Sequence, residues 1–279
     1  MKILILGASG TIGSAIFKSA SHKYQCWGTY NKNVPLDLNS ESIVQWSIED
    51  TATLTHLLED VSPDVVISSL SGDFEMQLSA HRHIANFLRK TEASMVFVST
   101  ANVFDGAVDK PHTELDAPYP VSRYGKFKLE CEQLLQLSLD ERCLIIRIPK
   151  IMTEDVASNL IFGEPVYRNL YASFNTPQNV ANAIIKCIQV RKHGVVHVSS
   201  YDFMSADRAC ILMGKSGYIA EDLTLNAYAS MMDCQLTDVK LSTNGSFYFA
   251  LQSVDSILES FVVSCYDIVK AAGAMGDLP

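Results

Sequence analysis

The fold of this chain is decided by Gly7-Ala8-Ser9-Gly10-Thr11-Ile12-Gly13, which directly follows the short apolar run Lys2–Leu6. Such a run predicts a buried strand, and the residues after it have the periodicity of a helix. Glycines at every third position allow a tight turn, close approach of the backbone to a pyrophosphate, and close packing of helix on strand. The segment therefore predicts a dinucleotide-binding unit, with candidate contacts at Gly7, Ser9, Gly10, Thr11, Ile12 and Gly13.

Length and composition fit one large α/β domain, or one domain with a small lobe. Of the 279 residues, 48% are apolar and 19% are charged, so a sizeable core can form. A formal net charge of -9 argues against nucleic acid or an anionic membrane as the main partner. The first apolar run is too short for a signal peptide, and no stretch approaches the roughly 18 uninterrupted apolar residues of a membrane helix. We expect a small-molecule substrate, and a homodimer remains open.

The seven cysteines are scattered along the chain, and no two form a Cys-x-x-Cys pair. An odd, dispersed set is neither a disulfide framework nor a zinc site, so we expect a reducing cytoplasm and cysteines that serve as small buried apolar residues. His81 and His83 lie two residues apart on a predicted helix, so they face different directions and cannot chelate together. No metal is expected.

Short apolar runs alternate with helical patterns in the first half of the chain, which predicts βα units around a parallel sheet. The predicted strands are Lys2–Leu6, Tyr24–Thr29, Ser42–Ile48, Asp64–Ser69, Ser94–Ser99 and Arg142–Ile148. The predicted helices are Thr11–Ser21, Thr51–Asp60, Phe74–Lys90 and Tyr119–Ser138. We therefore expect an α/β fold in which residues 1–150 form a Rossmann-type, doubly wound parallel sheet.

The rhythm changes after Ile148. Four later segments have helical patterns: Ala157–Phe162, Gln178–Arg191, Asp207–Met213 and Val254–Ala272. Single strands are predicted near Val195–Ser199 and Phe247–Ala250. We expect residues 151–279 to form a smaller mixed lobe for the substrate, with some elements shared with the first domain.

The end of the second predicted strand bears on the choice of nicotinamide cofactor. An acid at this place accepts hydrogen bonds from the adenosine ribose 2′-hydroxyl and favours NAD, whereas a cation leaves room for a 2′-phosphate. The chain reads Gly28-Thr29-Tyr30-Asn31-Lys32-Asn33, with a lysine and no acid. The candidates for this contact are Tyr30, Asn31 and Lys32, and the pattern favours NADP(H) over NAD(H).

Tyr124 and Lys128 lie four residues apart in a predicted helix, so their side chains project from one face. An ammonium group beside a phenol favours the phenolate, and a phenol tuned in this way can pass a proton to a carbonyl oxygen. A Tyr and a Lys at this spacing also occur as an ordinary surface pair. Thr100 favours the catalytic interpretation, because it follows the fifth predicted strand, where ligands gather in open parallel sheets.

Together these motifs resemble the extended short-chain dehydrogenase/reductases. Ser99–Gly106, which reads STANVFDG, and Tyr124–Lys128, which reads YGKFK, are similar to the branch typified by dTDP-4-dehydrorhamnose reductase. Later segments resemble the same branch as far as about residue 213: Arg147, Phe174–Ala181 and Gly194–Ser199. The chain departs from the pattern at Arg123 and Phe127, where the family usually has an apolar residue and a small hydroxyl residue.

The resemblance implies a role for each site residue. Thr100 is expected to bind the substrate oxygen, Tyr124 to donate a proton, and Lys128 to bind the nicotinamide ribose and tune Tyr124. Further implied contacts are Ser69, Leu70, Ser71, Tyr124 and Lys128 with the cofactor, Ser47 and Ile48 with adenine, and Asn102 and Phe104 with the substrate. Asp37-Leu38 would match the family's usual adenine pair in chemistry, but it lies too far upstream.

The function implied is an NAD(P)H-dependent reductase, acting on the keto group of a nucleotide-linked sugar. A sugar-nucleotide epimerase is one alternative. A dehydratase is disfavoured, because Ala101 and Asn102 follow Thr100 where a dehydratase needs acid and base residues. A further alternative is a regulatory subunit that binds NADP without turnover. A complete set of Thr100, Tyr124 and Lys128 argues against it, because a binding module needs no proton donor.

Overall fold

The computed structural model describes residues 1–33, 42–107, 111–163, 166–169, 171–215, 217, 219–222 and 252–261. The strands are β1 (Lys2–Leu6), β2 (Gln25–Tyr30), β3 (Ile43–Gln45), β4 (Val65–Ser68), β5 (Ser94–Thr100), β6 (Cys143–Ile148), β7 (Lys150–Ile151), β8 (Val166–Tyr167), β9 (Tyr171–Ala172), β10 (Phe174–Asn175), β11 (Gly194–His197), β12 (Met204–Ser205) and β13 (Ala220–Glu221). The helices are α1 (Thr11–Ser21), α2 (Thr51–Val61), α3 (Phe74–Leu88), α4 (Arg123–Leu139), α5 (Glu154–Phe162), α6 (Pro177–Gln189) and α7 (Ala206–Leu212), and residues 254–261 are also helical.

Seven strands form one sheet in the order β11-β6-β5-β4-β1-β2-β3, and every neighbouring pair is parallel. The chain runs outward from β1 to β3, returns to β4, and then runs outward on the other side. This reversal confirms the predicted doubly wound sheet. It creates a crevice at the carboxyl ends of β1 and β4, which is where ligands bind in open sheets of this kind.

Helices cover both faces of the sheet, so its central strands are buried on both sides. One face packs against α1 and α6 through an apolar core that includes Ile5, Ile16 and Ile184. The opposite face packs against α2, α3 and α4, with Phe97 and Leu135 among the buried side chains. The two layers hold the carboxyl ends of the strands in fixed positions relative to one another.

The residues after β6 contribute to two different cores. β11 pairs with β6 at the edge of the main sheet, and α6 packs in the same layer as α1. The remaining short strands pair as β7 with β10, β8 with β13 and β9 with β12. Residues of β9, β10 and β12, together with α5, α7 and the 254–261 helix, surround a small apolar core that includes Met152, Phe174 and Leu258. The division at residue 150 stays a prediction.

Several boundaries differ from those predicted. The helix α4 begins at Arg123 and not at Tyr119, because the preceding backbone is held by a carboxylate from the loop after β5. The third strand is limited to Ile43–Gln45, since the chain turns soon afterwards, where the backbone N–H of Asp50 donates to the carbonyl of Ser47 at 2.9 Å. The predicted strand Phe247–Ala250, the pair Asp37-Leu38 and the second half of Val254–Ala272 lie outside the described residues.

Five cysteines lie in the described part of the chain, and all five are buried and outside any disulfide bond. Burial raises the pKa of the Cys131 thiol to about 12. They therefore fill the core as small apolar groups, as predicted. Among the residues described, no group of three or more His, Cys, Asp or Glu is arranged to hold a metal ion. None of the described helices combines the length and the apolar character that crossing a bilayer demands.

Candidate active site

The glycine turn between β1 and α1 has room only for glycine at two positions. Gly7 has a φ of +83°, and a Cβ there would lie 2.9 Å from the carbonyl oxygen of Ser69. A Cβ at Gly13 would lie 2.0 Å from the carbonyl oxygen of Gly7. A side chain at Gly7 would displace the turn after β4, and one at Gly13 would push α1 away from the glycine turn. The residue pattern read from the sequence thus reflects two steric limits in the fold.

The N-terminus of α1 is open to an anion. Gly10 caps this helix without a side-chain hydrogen bond, and its first turn contains no acidic residue. Ser9, Gly10 and Thr11 are exposed, while Ile12 is half-buried. Unpaired backbone N–H groups and the positive end of the helix dipole suit a pyrophosphate, so the residues present fit a dinucleotide.

The end of β2 lies against the glycine turn. The hydroxyl of Thr29, which is buried, accepts a hydrogen bond of 3.0 Å from the backbone N–H of Gly7. Tyr30 follows and is half-buried, whereas Asn31 and Lys32 are exposed. The exposed ammonium group of Lys32 is therefore accessible to an anion at this end of the strand.

Two further predicted cofactor segments lie at the same edge of the sheet. Ser69 follows β4, and its hydroxyl donates to the backbone carbonyl of Leu6 at 3.1 Å, which ties this turn to the end of β1. The residues after it, Leu70 and Ser71, are half-buried and exposed respectively. Ser47 and Ile48 follow β3, and both are half-buried.

Thr100 ends β5, and its side chain is 6% exposed. Its hydroxyl donates to the side-chain oxygen of Asn102 at 2.8 Å and accepts a hydrogen bond of 3.3 Å from the backbone N–H of the same residue. These bonds start the 3-10 turn Ala101–Phe104. The turn fixes the Thr100 side chain at the carboxyl edge of the sheet.

Asp105 fixes the start of α4, a role that the sequence analysis missed. The buried carboxylate accepts hydrogen bonds from the backbone N–H groups of Val121, at 2.6 Å, and Ser122, at 3.3 Å, and from the Ser122 hydroxyl. Ser122 in turn caps the helix by accepting from the backbone N–H of Gly125 at 2.9 Å. Tyr124 lies in this first turn, so the Asp105 carboxylate sets its position.

Gly125 brings the start of α4 against the turn that follows Thr100. A Cβ at this position would lie 2.3 Å from the backbone carbonyl oxygen of Asn102. Only a residue without a side chain allows this approach, which places Tyr124 beside the end of β5. The glycine after the tyrosine was the sequence signal for this contact, and the sequence analysis did not use it.

Lys128 is buried on the same face of α4 as Tyr124, with 5% of its surface exposed. Its Nζ donates to the backbone carbonyl of Val98 at 3.2 Å and lies 4.8 Å from the centre of the Phe97 ring. The same Nζ lies 5.8 Å from the centre of the Tyr124 ring. No carboxylate in the described part of the chain forms an ion pair with it. A buried cation without an acidic partner is therefore held next to the candidate proton donor.

His81, on α3, is a second buried titratable group near Lys128. Because a carbonyl only accepts, Nδ1 carries the proton and donates to the backbone oxygen of Gln77 at 2.7 Å. Nε2 then accepts from the Ser68 hydroxyl at 2.8 Å. Burial, and next the charge of Lys128, lower the pKa of His81 to about 3. The imidazole is therefore neutral and links α3 to the end of β4.

A buried ion pair lies farther along α4. Arg147 on β6 donates to Glu132 through Nε at 3.0 Å and through Nη2 at 2.6 Å, and the Ser99 hydroxyl donates to the same carboxylate at 2.5 Å. Arg147 and Glu132 are 4% and 1% exposed. The resemblance had pointed to Arg147, whereas its partner was missed. The signal for it was an acid four residues after Lys128 on the same helix face.

The two predicted substrate contacts, Asn102 and Phe104, are both fully enclosed, with 0% of their surface exposed. The Phe104 ring stacks on His112 with 4.3 Å between ring centres, and the Arg147 guanidinium carbon lies 5.0 Å from its centre. Neither side chain offers a surface to a ligand in this arrangement. Their enclosure supports roles behind the reacting surface, and direct contact with substrate stays a prediction that the geometry does not favour.

Sequence comparison places the chain in a family. The profile described as RmlD substrate binding domain matches residues 1–162, more than half of the chain. The chain belongs to this family. The matched region contains the glycine turn, Thr100, Tyr124 and Lys128. The candidate site residues described above therefore lie within it.

Individual relatives fall into two groups by name. Methionine adenosyltransferase 2 subunit beta from Xenopus laevis is 26% identical over 215 residues, which cover 70% of this chain and 63% of that protein. The chain thus spans less than two thirds of that relative's length. A probable low-salt glycan biosynthesis reductase from Haloferax volcanii is 23% identical over 253 residues, which cover 79% of this chain and 83% of that protein.

A solved structure shows the same fold. The dTDP-4-dehydrorhamnose reductase from Bacillus anthracis str. Ames, solved in complex with NADP, is similar with a TM-score of 0.70 at 16% identity. The similarity covers 94% of this chain and 98% of that one. The likeness therefore extends beyond the Rossmann-type sheet to most of the chain.

Proposed function

We propose that this protein is an NAD(P)H-dependent reductase that reduces the keto group of a nucleotide-linked sugar. The observation that carries the proposal is the buried ammonium group of Lys128, which lies 5.8 Å from the Tyr124 ring with no described carboxylate paired to it. Burying such a charge is costly, and a fold retains it where a reaction or a ligand uses it. The family membership and the name of the Haloferax relative support the same activity.

The chain's own residues have separate roles in this proposal. The glycine turn and the N-terminus of α1 bind the pyrophosphate, and Lys128 binds the nicotinamide ribose. Thr100 holds the carbonyl oxygen by a hydrogen bond. When bound, the cofactor supplies a hydride to the carbonyl carbon. Tyr124 gives its phenolic proton to the oxygen, so that the C=O group becomes CH–OH, and the ammonium of Lys128 stabilises the phenolate that remains.

We infer that NADPH is the preferred cofactor. Lys32 is exposed at the end of β2, and residues 25–33 contain no carboxylate to bind a ribose 2′-hydroxyl. A 2′-phosphate would gain a charge-assisted contact there, and NADH would gain none. The buried thiols of the described cysteines, none of them in a disulfide, support a reducing, cytoplasmic setting. A homodimer is a further proposal, which the oligomeric state in solution would test.

A second candidate is a subunit that binds a dinucleotide and regulates another protein without turnover. The observation in its favour is the similarity to methionine adenosyltransferase 2 subunit beta, at 26% identity. The two candidates differ in one respect that can be measured directly. A regulatory subunit needs a binding cleft, whereas a reductase also needs the proton donor Tyr124.

The experiment is to mix purified protein with NADPH and a panel of nucleotide-linked 4-keto sugars, and to follow the loss of nicotinamide absorbance. Substrate-dependent oxidation that disappears in Tyr124→Phe supports the reductase. The matched control is Tyr119→Phe, an exposed tyrosine five residues earlier, which should keep full activity. NADPH binding without oxidation of any sugar would contradict the reductase and favour the regulatory subunit.

A further inference from the structure

The Thr100 hydroxyl has one proton, and in this structure Asn102 receives it. The two oxygens, Oγ1 of Thr100 and Oδ1 of Asn102, are 2.8 Å apart. A hydroxyl donates one hydrogen bond and accepts up to two. In this arrangement Thr100 can only accept from a bound molecule. That polarity suits an alcohol, which donates, and not a carbonyl oxygen, which only accepts.

The other half of the Asn102 carboxamide has no use in this arrangement. Its Nδ2 is buried and has no hydrogen-bond partner among the described residues. An unpaired buried amide group is costly. A half-turn of the carboxamide exchanges Nδ2 and Oδ1, which are nearly equal in size. Nδ2 then donates to the Thr100 hydroxyl, Oδ1 takes the place that Nδ2 had, and the proton of the Thr100 hydroxyl is released to point elsewhere.

The backbone reinforces this second arrangement. The N–H of Asn102 lies 3.3 Å from Thr100 Oγ1, so the turned carboxamide and the backbone would both donate to that oxygen. With its two lone pairs occupied, the hydroxyl can act toward a ligand only as a donor. Asn102 itself is 0% exposed and cannot touch the ligand, so it acts through Thr100.

We propose that Asn102 is a positioning residue whose carboxamide sets the direction of the Thr100 proton, toward a ketone substrate in one orientation and away from an alcohol product in the other. The inference rests on the proposed function, since it assigns Thr100 a carbonyl ligand. The same Thr100 hydroxyl can then donate to the ketone substrate and accept from the alcohol product. The pair of orientations also accounts for the unpaired Nδ2, which belongs to the product-like orientation.

Asn102→Asp tests the proposal, because it keeps the shape of the side chain and changes only its donors. The protonated carboxyl retains one donor and resembles the carboxamide, whereas the carboxylate only accepts and holds the Thr100 proton. We expect kcat/KM for the ketone to fall by roughly 10²-fold, the worth of one donor to a developing oxyanion, as pH rises through the titration of this carboxyl. The wild-type protein should show no such step.

Two second-site variants separate positioning from structure. Thr100→Ser keeps the hydroxyl, so it should keep the step in the Asn102→Asp background, whereas Thr100→Val should abolish it. Titration of other groups at the site, Asp105 on the same loop and Tyr124 and Lys128 on α4, is common to all backgrounds and cancels in the comparison. A loss of activity that is independent of pH, or a step that survives Thr100→Val, would show a structural role only and overturn the proposal.

The inference can be tested even if the reductase assignment fails. Should the wild-type protein reduce no ketone, the carboxyl of Asn102→Asp can be titrated by carbon-13 NMR without substrate. A proton donated by Thr100 stabilises the carboxylate, so Thr100→Val should raise the pKa of that carboxyl and Thr100→Ser should leave it unchanged. Equal pKa values in all three backgrounds would refute the Asn102–Thr100 link independently of any enzymatic activity.

Discussion

The neutral state of His81 makes the stability of this protein depend on pH in a way that can be calculated. Burial and the charge of Lys128 lower the pKa of the imidazole from 6.5 to about 3. The unfolded chain binds a proton at His81 below pH 6.5, and the folded chain does not bind it until about pH 3. The stabilisation from this group is therefore fully present above pH 6.5 and is lost progressively as pH falls toward 3.

The magnitude follows from the two pKa values. As pH falls from 7.5 to 5, His81 is protonated in the unfolded state but not in the folded state. This raises the unfolding equilibrium constant by roughly 1.5 log units, which lowers the free energy of unfolding by about 2 kcal/mol. The assay is urea denaturation at a series of pH values, for the wild-type protein and for His81→Gln. The variant should lose about 2 kcal/mol less than the wild-type protein over this range, whatever its stability at pH 7.5.

The exposed His56 on α2 provides the matched control, because 78% of its side-chain surface is accessible. His56→Gln should leave the pH dependence of the wild-type protein intact. Identical pH slopes for the wild-type protein and His81→Gln would refute the argument. Such a result would mean that the folded protein accepts a proton at His81, and that its bonds to Gln77 and Ser68 do not fix the neutral imidazole.

Four other outcomes are expected. Glu132→Gln should destabilise the fold by about 3–5 kcal/mol in urea denaturation, because Arg147 is left as a buried unpaired charge. Adding Arg147→Met should restore part of that loss; a double variant that loses the sum of the two single losses would contradict the argument. Asp105→Ala should lower the free energy of unfolding by about 1–3 kcal/mol, because it leaves backbone N–H groups before α4 unpaired. It should also lower turnover, and unchanged turnover would show that Asp105 does not position Tyr124. Tyr124→Phe should leave the calorimetric Kd for NADPH nearly unchanged and lower kcat by roughly 10²–10⁴-fold, whereas Lys128→Met should weaken both. Lys32→Ala should weaken NADPH binding by about tenfold, which corresponds to about 1.4 kcal/mol, and leave the affinity for NADH unchanged. The control Lys23→Ala should change neither affinity, and a wild-type protein that binds NADH more tightly than NADPH would contradict the inferred cofactor preference.

The fold could be predicted from the sequence because its signals are local. The strand, the glycine turn and the helix of the first unit lie within the first 21 residues, and each is specified by neighbours along the chain. Alternating apolar runs then predict the remaining units, and the right-handed crossover of such units leaves few arrangements for the strands. The steric limits at Gly7 and Gly13 explain why the glycine spacing carries so much information.

The polar interior of the site could be predicted only in part, because its bonds join distant parts of the chain. Asp105 and Ser122 are 17 residues apart, and Ser99 and Glu132 are 33 residues apart. Helix periodicity correctly places Tyr124 and Lys128 on one face, but it does not reveal what that face meets. The start of α4 was predicted four residues too early for the same reason, since it is set by a carboxylate from another loop.

The buried face of α4 shows how the fold divides its charges. Tyr124, Lys128 and Glu132 follow one another at intervals of four residues, so one helix face carries a phenol, a cation and an anion into the protein interior. Glu132 accepts three hydrogen bonds from Arg147 and one from Ser99, which together occupy the roughly four acceptor sites of a carboxylate and leave none for Lys128. The charges of Glu132 and Arg147 therefore neutralise one another. No described residue provides a counter-ion for Lys128 on the side of the face where Tyr124 lies. A helix that paired Lys128 with Glu132 would be easier to bury, because the two charges would offset one another. Because Arg147 is the partner of Glu132 instead, the charge of Lys128 acts on Tyr124 and on a bound ligand, which is the arrangement that proton donation to a carbonyl requires in the proposed reaction.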